Sequence, residues 1–301
     1  MAIDLAVVPV AGRGTRMLPL TKSQPKEMLP VGRKPVVQYV VEELAASGVR
    51  RMLFITGPGK TAIENHFDFD SELITHLRET GGERYLEEMP ELRFQREDLD
   101  YFYTRQPRQL GLGHAVLCAR PLVGQQPFVV ALGDSIIGLH AESDIVRRMI
   151  EQFERARADA VICFEQVPRA EVSRYGIAKP RGTAADVFEL EDLIEKPSVD
   201  QAPSTLAIAA RYVCSPAIFE ILARTEPGAG GEIQFTDALR RLILDGGKVL
   251  GMRLDEGNRR YDIGGFESYF RAFSEFVVTD PQYGPAMRRH LRALLERHGD
   301  A

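Results

Sequence analysis

A short basic segment of the sequence, VPVAGRGTRMLPLTKSQPKEMLP (8–30), has the residue types that bind a polyphosphate. It carries Arg16, Lys22 and Lys26, and a Gly-Arg-Gly turn precedes them. Glycines allow the backbone to approach a ligand closely, and successive N–H groups in such a turn can form an anion-binding nest. Cations beside a nest favour bound phosphates. Because most surface lysines bind nothing, a solvated basic loop is the alternative interpretation.

Several short motifs in the sequence fail when their full patterns are tested. Met17 occupies the third glycine position of a dinucleotide-binding fingerprint. Phe54 stands where a P-loop ending at 59–61 needs its first glycine. The S-x-x-K pattern at 23–26 lacks its partner motifs, the histidines lack zinc-ligand spacing, and there is no G-x-S-x-G sequence. These absences argue against a dehydrogenase, a P-loop NTPase, a zinc hydrolase and a serine hydrolase.

The elements that must position the basic segment alternate between strands and helices. A helical pattern covers 34–47 and ends at Gly48. Buried strands are predicted at 5–10, 51–56, 101–105, 128–132 and 160–164. Alternating buried strands and helices predict an α/β fold with a doubly wound, mostly parallel sheet, whose ligands bind at the carboxyl ends of the strands.

The remaining segments elaborate one predicted domain, 1–301. We expect a helical insertion at 61–100, shorter strands within 175–212, and a C-terminal helical region at 269–301. The tail from Pro285 has the spacing of an amphipathic helix. No break in composition indicates a second domain.

Composition and charge narrow the class of protein. The 301 residues are 44% hydrophobic and 27% charged, with a formal net charge of −5. These values are typical of a globular protein and argue against disorder, a collagen-like fibre and a broad nucleic-acid surface. Cys118, Cys163 and Cys214 form neither a disulfide framework nor a metal knuckle. Without a membrane-spanning run or a signal-peptide pattern, we expect a cytoplasmic protein that binds neither membrane nor nucleic acid.

The motif GxGTRMLPxTKxxPKEMLP resembles the nucleotide-binding signature of sugar-1-phosphate nucleotidylyltransferases. It is most similar to the bacterial UTP–glucose-1-phosphate uridylyltransferases. The resemblance continues in order along the chain through KPVVQYVVEEL, IENHFD, RQPRQLGLGHAVLCA, GDSI, RYGIA, IEKP, PSTLAIAARYV, PGAGGEIQFTDAL and DIGGFESY. It implies a Rossmann-like nucleotidyltransferase fold with a small β insertion and C-terminal helices.

The resemblance also implies a reaction. A sugar 1-phosphate attacks the α-phosphorus of UTP and expels pyrophosphate, giving UDP-glucose, with Mg²⁺ as cofactor and no covalent intermediate. Such a reaction needs cations and in-line positioning. By similarity, the catalytic residues are Arg16 on the departing pyrophosphate, Lys26 near the α-phosphate and Lys196 on the sugar phosphate.

By similarity, further residues bind the nucleotide and the metal. Those assigned to the nucleotide are Ala11, Gly12, Arg13, Gly14, Gln106 and Gly111, the last two at the uracil. Asp134 and Asp262 match two carboxylates that hold magnesium, although Asp134 could instead cap a helix. Gly133 and Ile263 replace the proline and the cysteine that relatives often carry beside these carboxylates. The alternative for Gly111 is a simple turn before the next helix.

The sugar site is implied at Gly176, Glu195, Lys196 and Glu232. Adjacent residues of a strand point to opposite faces, so Glu195 and Lys196 cannot both face one ligand unless Pro197 twists the chain. An exposed ion-pair edge is the alternative for these two residues. For Glu232, contact with sugar hydroxyls and bracing of its loop are equally supported.

Two further functions remain open from the sequence. One is nucleotidyl transfer with another base or sugar, for example dTTP. The other is a catalytically weak paralogue that binds nucleotide sugars, although the charged residues of the motifs are all present. The amphipathic tail and the resemblance predict a homodimer or homotetramer.

Overall fold

The computed structural model describes residues 3–68, 70–82, 84–85, 98–255 and 257–299. The strands are β1 (Leu5–Pro9), β2 (Pro30–Val31), β3 (Lys34–Pro35), β4 (Arg51–Thr56), β5 (Asp100–Arg105), β6 (Phe128–Ala131), β7 (Ser135–Ile137), β8 (Ala160–Gln166), β9 (Gly176–Pro180), β10 (Val187–Glu195), β11 (Leu206–Cys214), β12 (Val249–Arg253) and β13 (Arg260–Asp262). The α-helices are α1 (Val36–Ala46), α2 (Thr61–Phe67), α3 (Ser71–Glu79), α4 (Leu112–Leu117), α5 (Arg120–Val123), α6 (Ile145–Ala156), α7 (Ile218–Leu222), α8 (Phe235–Leu244), α9 (Phe266–Thr279) and α10 (Gly284–His298).

Nine strands of the described residues form one sheet, in the order β5-β4-β1-β6-β11-β8-β12-β10-β9. The first strand shows why it forms. Leu5 and Val7 face one hydrophobic cluster, and Ala6 and Val8 face the other. Because successive side chains of a strand alternate between faces, a continuous apolar run is buried on both sides. The two faces are covered by helices, which confirms the predicted α/β class.

The sheet is mixed, and this differs from the mostly parallel sheet that we predicted. Four of the eight neighbouring strand pairings are parallel, and the other four are antiparallel. The segment 175–212 is the reason, because β9, β10 and β11 join the main sheet antiparallel to their neighbours. β10 and β11 have nine residues each, longer than the short strands that we expected there.

Two paired strands outside the main sheet position the site. β7 and β13 are antiparallel, with Asp262 opposite Ser135. A third hydrophobic cluster packs this pair against the basic segment and α9, through Met17, Tyr261 and Phe276. Residues distant in sequence therefore share one rigid base.

The peripheral segments agree in part with the predictions made from the sequence. α2 and α3 occupy the start of the predicted helical insertion, and its residues 86–97 lie outside the described residues. α9 and α10 form the C-terminal helical region up to His298. Within the described part of the chain, every helix is too short or too polar to cross a membrane.

Candidate active site

Lys26, Asp134 and Asp262 converge at the carboxyl ends of β1 and β6. Lys26 begins a short 3-10 turn, and its Nζ donates to Oδ2 of Asp134, which follows β6. Ile263 N donates to the carbonyl oxygen of Asp134 at 3.0 Å, so the chain bearing Asp262 is tied to the Asp134 loop. The structure thus brings together the phosphate lysine and both metal carboxylates that the resemblance implies.

Arg16 reaches the same cluster from the turn before Met17. A Cβ added to Gly264 would lie 2.7 Å from Arg16 Nη2 and 2.7 Å from Asp262 Oδ2. The guanidinium and the carboxylate therefore both lie against the Gly264 backbone. Arg16 is otherwise exposed, so a phosphate can approach it.

These charges alter one another's ionisation. Burial alone would lower the pKa of Lys26, but the carboxylates of Asp134, Glu27 and Asp262 outweigh it and hold the pKa above its ordinary value. Burial opposes the ionisation of Asp134, yet Lys26 holds the pKa of Asp134 below its ordinary value. Burial and the charge of Asp134 raise the pKa of Asp262. Two neighbouring carboxylates repel each other when both are ionised. A divalent cation bound to them would relieve this repulsion.

A buried ion pair fixes the turn that carries Lys26. Lys60 Nζ lies 2.8 Å from Glu27 Oε2, and the two side chains are 5% and 2% exposed. Burial raises the pKa of Glu27 against the opposing charge of Lys60. Sequence reasoning treated Lys60 as part of a failed P-loop and missed this pairing. The available signal was a lysine four residues after the end of a buried strand, at the edge of the sheet where ligands bind.

The backbone of the nucleotide-binding segment is tied to the loop after β5. Gln109 Nε2 donates to the carbonyl of Ala11 at 2.7 Å, and Arg13 Nε donates to Gln109 Oε1 at 2.5 Å. A cavity of about 680 Å³ opens beside this contact. Its lining includes Gly12, Arg13, Thr15, Thr21, Lys22, Lys60, Arg108 and Gln109. The named charged side chains of this lining are all cationic, as a polyphosphate site requires.

Of Gly12 and Gly14, only Gly14 has a backbone conformation that favours glycine. A Cβ on Gly12 would approach Lys26 Nζ to 3.9 Å, so the lysine lies directly over this backbone. Gly14 has φ +65°, and its carbonyl accepts a hydrogen bond from the Thr21 hydroxyl at 2.8 Å. The left-handed conformation of Gly14 is the one that glycine adopts most readily.

The two residues predicted at the uracil contact each other. Gln106 is buried, and its Nε2 donates to the Gly111 carbonyl at 3.0 Å and lies 3.1 Å from His114 Nδ1. Gly111 has φ +96°, and a Cβ there would lie 2.8 Å from both Glu232 Cβ and the carbonyl oxygen of Ile233. The turn that we weighed as an alternative for Gly111 is present, because α4 begins directly after it.

Glu232 braces this loop. Its carbonyl accepts from Gly228 N at 2.9 Å, and its carboxylate accepts from Gln234 Nε2 at 3.2 Å. The next residue, Ile233, donates its N–H to Leu110 O at 2.7 Å. Of the two roles weighed for Glu232, the geometry favours the bracing one.

Glu195 and Lys196 lie on the same side of the chain, despite being adjacent. β10 ends at Glu195, and Lys196 has φ +44°, a left-handed conformation just before Pro197. Lys196 Nζ consequently lies 3.2 Å from Glu195 Oε1, with the lysine side chain 53% exposed. The alternation of side chains along β10 ends at Glu195. It therefore does not prevent Lys196 from facing the same ligand as Glu195. The ion pair that we considered as an alternative is also present.

Gly176 lies opposite Glu195 in the β9–β10 pairing. A Cβ on it would lie 2.6 Å from Ile208 Cδ1 and 3.1 Å from the side chain of Thr236. Packing therefore explains this glycine independently of any sugar contact.

Comparison with known proteins decides the family. A model of the nucleotidyl transferase family matches residues 5–278. The chain belongs to this family. The UTP–glucose-1-phosphate uridylyltransferase YngB of Bacillus subtilis (strain 168) is 44% identical over 97% of this chain and 94% of its own length. The resemblance inferred from the motifs is confirmed.

Solved structures agree with this nucleotidyl transferase assignment. The UTP-bound UGPase from Acinetobacter baumannii has a TM-score of 0.87 and 34% identity, covering 96% of this chain and 98% of its own. A UDP-glucose pyrophosphorylase complexed with UDP-glucose has a TM-score of 0.79 and 35% identity, covering 91% and 98%.

Nucleotidyl transferases generally use a divalent metal ion. Among the described residues there is no cluster of three or more metal-ligating side chains. Asp134 and Asp262 nevertheless fit a hard cation, because Mg²⁺ is commonly held by one or two carboxylates together with substrate phosphates and water. The raised pKa of Asp262 beside a second carboxylate is the observation that supports this fit.

Two buried arginines near these carboxylates were missed from the sequence. Arg260 Nε donates to Glu165 Oε1 at 2.5 Å, and its Nη1 lies 3.5 Å from Asp262 Oδ1. Its guanidinium also stacks over the Tyr175 ring, 5.0 Å from the centroid. Arg211 lies beneath the Asp134 loop. A single arginine within a strand gives no signal of such a role until the partner strands are known.

Proposed function

We propose that this protein transfers the uridylyl group of UTP to glucose 1-phosphate, giving UDP-glucose and pyrophosphate. The observation that carries this proposal is the convergence of Arg16 and Lys26 with the carboxylates of Asp134 and Asp262. Relatives at high identity are named for this activity, and similar structures hold UTP or UDP-glucose. The alternative with another base or sugar has no comparable support.

The reaction is a single displacement at phosphorus. An oxygen of the sugar phosphate attacks the α-phosphorus, the bond to the bridging β-phosphate oxygen breaks, and its electron pair leaves with pyrophosphate. A sugar phosphate is largely dianionic near neutral pH, since the second phosphate pKa is about 6. No protein base is therefore required, and the barrier is the repulsion between anions.

The cations of the chain lower that barrier. Lys26, above the Gly12 backbone, neutralises phosphate oxygens near the α position, and the exposed Arg16 takes the charge of the departing pyrophosphate. Asp134 and Asp262 would hold Mg²⁺. The metal supplies charge neutralisation and alignment of the phosphates. When it binds, both carboxylates can stay ionised without Lys26 as their counter-ion.

The base and the sugar bind on either side of this centre. Because Nε2 of Gln106 is engaged within the protein, its amide oxygen is left to accept from uracil N3–H, next to Gly111. Lys196 binds the phosphate of the sugar, Glu195 accepts from sugar hydroxyls, and the Gly176 backbone lies opposite Glu195.

An oligomeric state and a cellular location are also proposed. Phe270, Tyr283 and Leu295 are exposed apolar side chains in the C-terminal helical region, which supports a homodimer or homotetramer that light scattering can test. The phosphorylated substrates support a location in the cytoplasm, where such metabolites are found.

The experiment is a nucleotide panel. Purified protein receives Mg²⁺, glucose 1-phosphate and UTP, dTTP, ATP, CTP or GTP, and pyrophosphate release is measured. We expect strong release with UTP that a chelator suppresses, and a reduced preference for UTP over CTP in Gln106→Ala, because N3 of cytosine carries no hydrogen for the amide oxygen to accept. Gln126→Ala is the matched control, because Gln126 accepts from Arg51 at 2.6 Å at the opposite end of the sheet. Preference for another nucleotide in the wild type would overturn the base assignment.

A further inference from the structure

A fully buried ion pair joins helix α1 to strand β11. Arg211 and Glu43 are both 0% exposed, and Arg211 Nη2 lies 2.6 Å from Glu43 Oε2. Nε of the same arginine donates to both carboxylate oxygens at 3.3 and 3.2 Å. Removing two charges from water is costly, and well-packed apolar residues often serve the fold as well or better. Stability alone is therefore a poor reason for this pair.

Arg211 is hydrogen-bonded to the loop that carries Asp134. Its Nη2 donates to the carbonyl of Ser135 at 2.8 Å, and its Nη1 lies 3.5 Å from the carbonyl of Leu132. These two carbonyls flank the Gly133–Asp134 turn. Since Ser135 is also opposite Asp262 in the β7–β13 pairing, one guanidinium fixes the backbone beneath both carboxylates.

The backbone of β11 is distorted where it presents the arginine. Its register with β8 shifts between Ile208 and Tyr212, and Ala210 has φ +62°. The Ala210 carbonyl accepts from Leu132 N at 3.1 Å, at the start of the same loop. Bulges commonly re-aim a side chain beside an active site, and strained non-glycine residues cluster there.

We propose that Arg211, held in place by Glu43, is a positioning residue for the pair of metal-binding carboxylates. It contacts no substrate and acts through the backbone of the Asp134 loop. The inference rests on the proposed function for the identity of the metal site, since it concerns how Asp134 and Asp262 are presented to a divalent cation.

The test separates positioning from stability. In the double variant Arg211→Met/Glu43→Leu both charges are replaced by apolar side chains of similar size, whereas Arg211→Met alone leaves Glu43 buried without its partner. The melting temperature should fall in the single variant and return toward the wild-type value in the double variant. Metal binding should not return, because the carbonyls of Leu132 and Ser135 still lack their donor.

Metal binding is measured in two ways. One is the Mg²⁺ concentration that half-saturates pyrophosphate release, and the other is Mn²⁺ binding to the protein without nucleotide or sugar, followed by electron paramagnetic resonance. We expect both to weaken at least tenfold in the double variant, with a smaller change in kcat at saturating Mg²⁺. Recovery of wild-type metal affinity together with the melting temperature would overturn the proposal.

Two further variants keep the test decisive. Arg211→Lys retains the charge opposite Glu43 but has only one side-chain nitrogen, which cannot reach both carbonyls. This variant should fold and still bind Mg²⁺ several-fold more weakly. Unchanged Mg²⁺ affinity would overturn the proposal. Phe219→Leu, in the Phe128–Phe219 stack, lowers stability away from the site and should leave Mg²⁺ affinity unchanged. If the wild-type protein releases no pyrophosphate, the proposed function fails, whereas the Mn²⁺ data still judge Arg211.

Discussion

Replacing Lys26 by methionine removes one ammonium group and keeps most of the side-chain volume. Its Nζ pairs with Asp134, and the two side chains are only 16% and 17% exposed. A unit charge about 4 Å from a phosphate oxygen, at an effective dielectric constant of about 20, contributes about 4 kcal/mol. Because each 1.36 kcal/mol is a factor of ten in rate, Lys26→Met should lose about three orders of magnitude in kcat/KM.

The same substitution has a second consequence in the protein without ligands. Asp134 loses its counter-ion beside Asp262, and breaking a buried pair costs about 3–5 kcal/mol, here at the lower end because the pair is partly solvated. A divalent ion can take the place of the ammonium. Mg²⁺ should therefore raise the melting temperature of Lys26→Met by more than it raises that of the wild type.

The assay compares pyrophosphate release and thermal unfolding with those of Lys34→Met. Lys34 is also ion-paired, with Nζ 2.9 Å from Glu42 Oε2, but it lies outside the site. This control should keep its activity and lose at most about 1 kcal/mol of stability. The reasoning fails if Lys26→Met stays within tenfold of wild-type kcat/KM, or if Lys34→Met loses as much activity.

Three other outcomes are expected. Gly111→Ala should lower the melting temperature and raise KM for UTP, because the added Cβ would lie 2.8 Å from backbone at a φ of +96°. The control Gly124→Ala also has a positive φ, but its Cβ would lie in open space, so KM for UTP should not change. Equal KM values for the two variants would contradict this. Burial lowers the pKa of His114, opposed by a hydrogen bond from the ring to the backbone of Arg108, so the ring stays neutral and can accept from Gln106 to a lower pH than an ordinary histidine. KM for UTP should therefore be constant from about pH 8 down to the ordinary histidine pKa of about 6.5 and rise only at lower pH, and a flat profile to about pH 5 would refute it. Lys196→Ala should reduce turnover by about two orders of magnitude with UTP binding nearly intact, as measured by steady-state rates and calorimetry; an unchanged rate would exclude its phosphate role.

Local sequence signals predicted much of the parallel half of the fold. The apolar run at Arg51–Thr56 became β4 with the predicted bounds, and the periodic stretch after Lys34 became α1. Such runs are decided by burial and spacing within a few residues. The antiparallel entry of β11 depends on pairing with β6 and β8, which no local pattern reveals.

The site was predicted to a similar depth. Motif resemblance named Lys26 and Asp134, and the structure places them in contact. It could not show that Lys60 pairs with Glu27 or that Arg211 supports the Asp134 loop, because both contacts join elements far apart in the chain. The sequence allowed Glu195 and Lys196 a joint role only if the chain twists at Pro197, and the left-handed conformation of Lys196 supplies such a turn just before this proline.

The most direct test of uridylyl transfer is to identify the product. The protein is incubated with UTP, Mg²⁺ and glucose 1-phosphate carrying ¹³C in the sugar, and the mixture is analysed by mass spectrometry. The account predicts UDP-glucose that contains the labelled sugar, formed in equal amount with pyrophosphate and absent from the Lys26→Met reaction over the same time. A folded wild-type protein that forms no labelled uridine diphosphate sugar would contradict it.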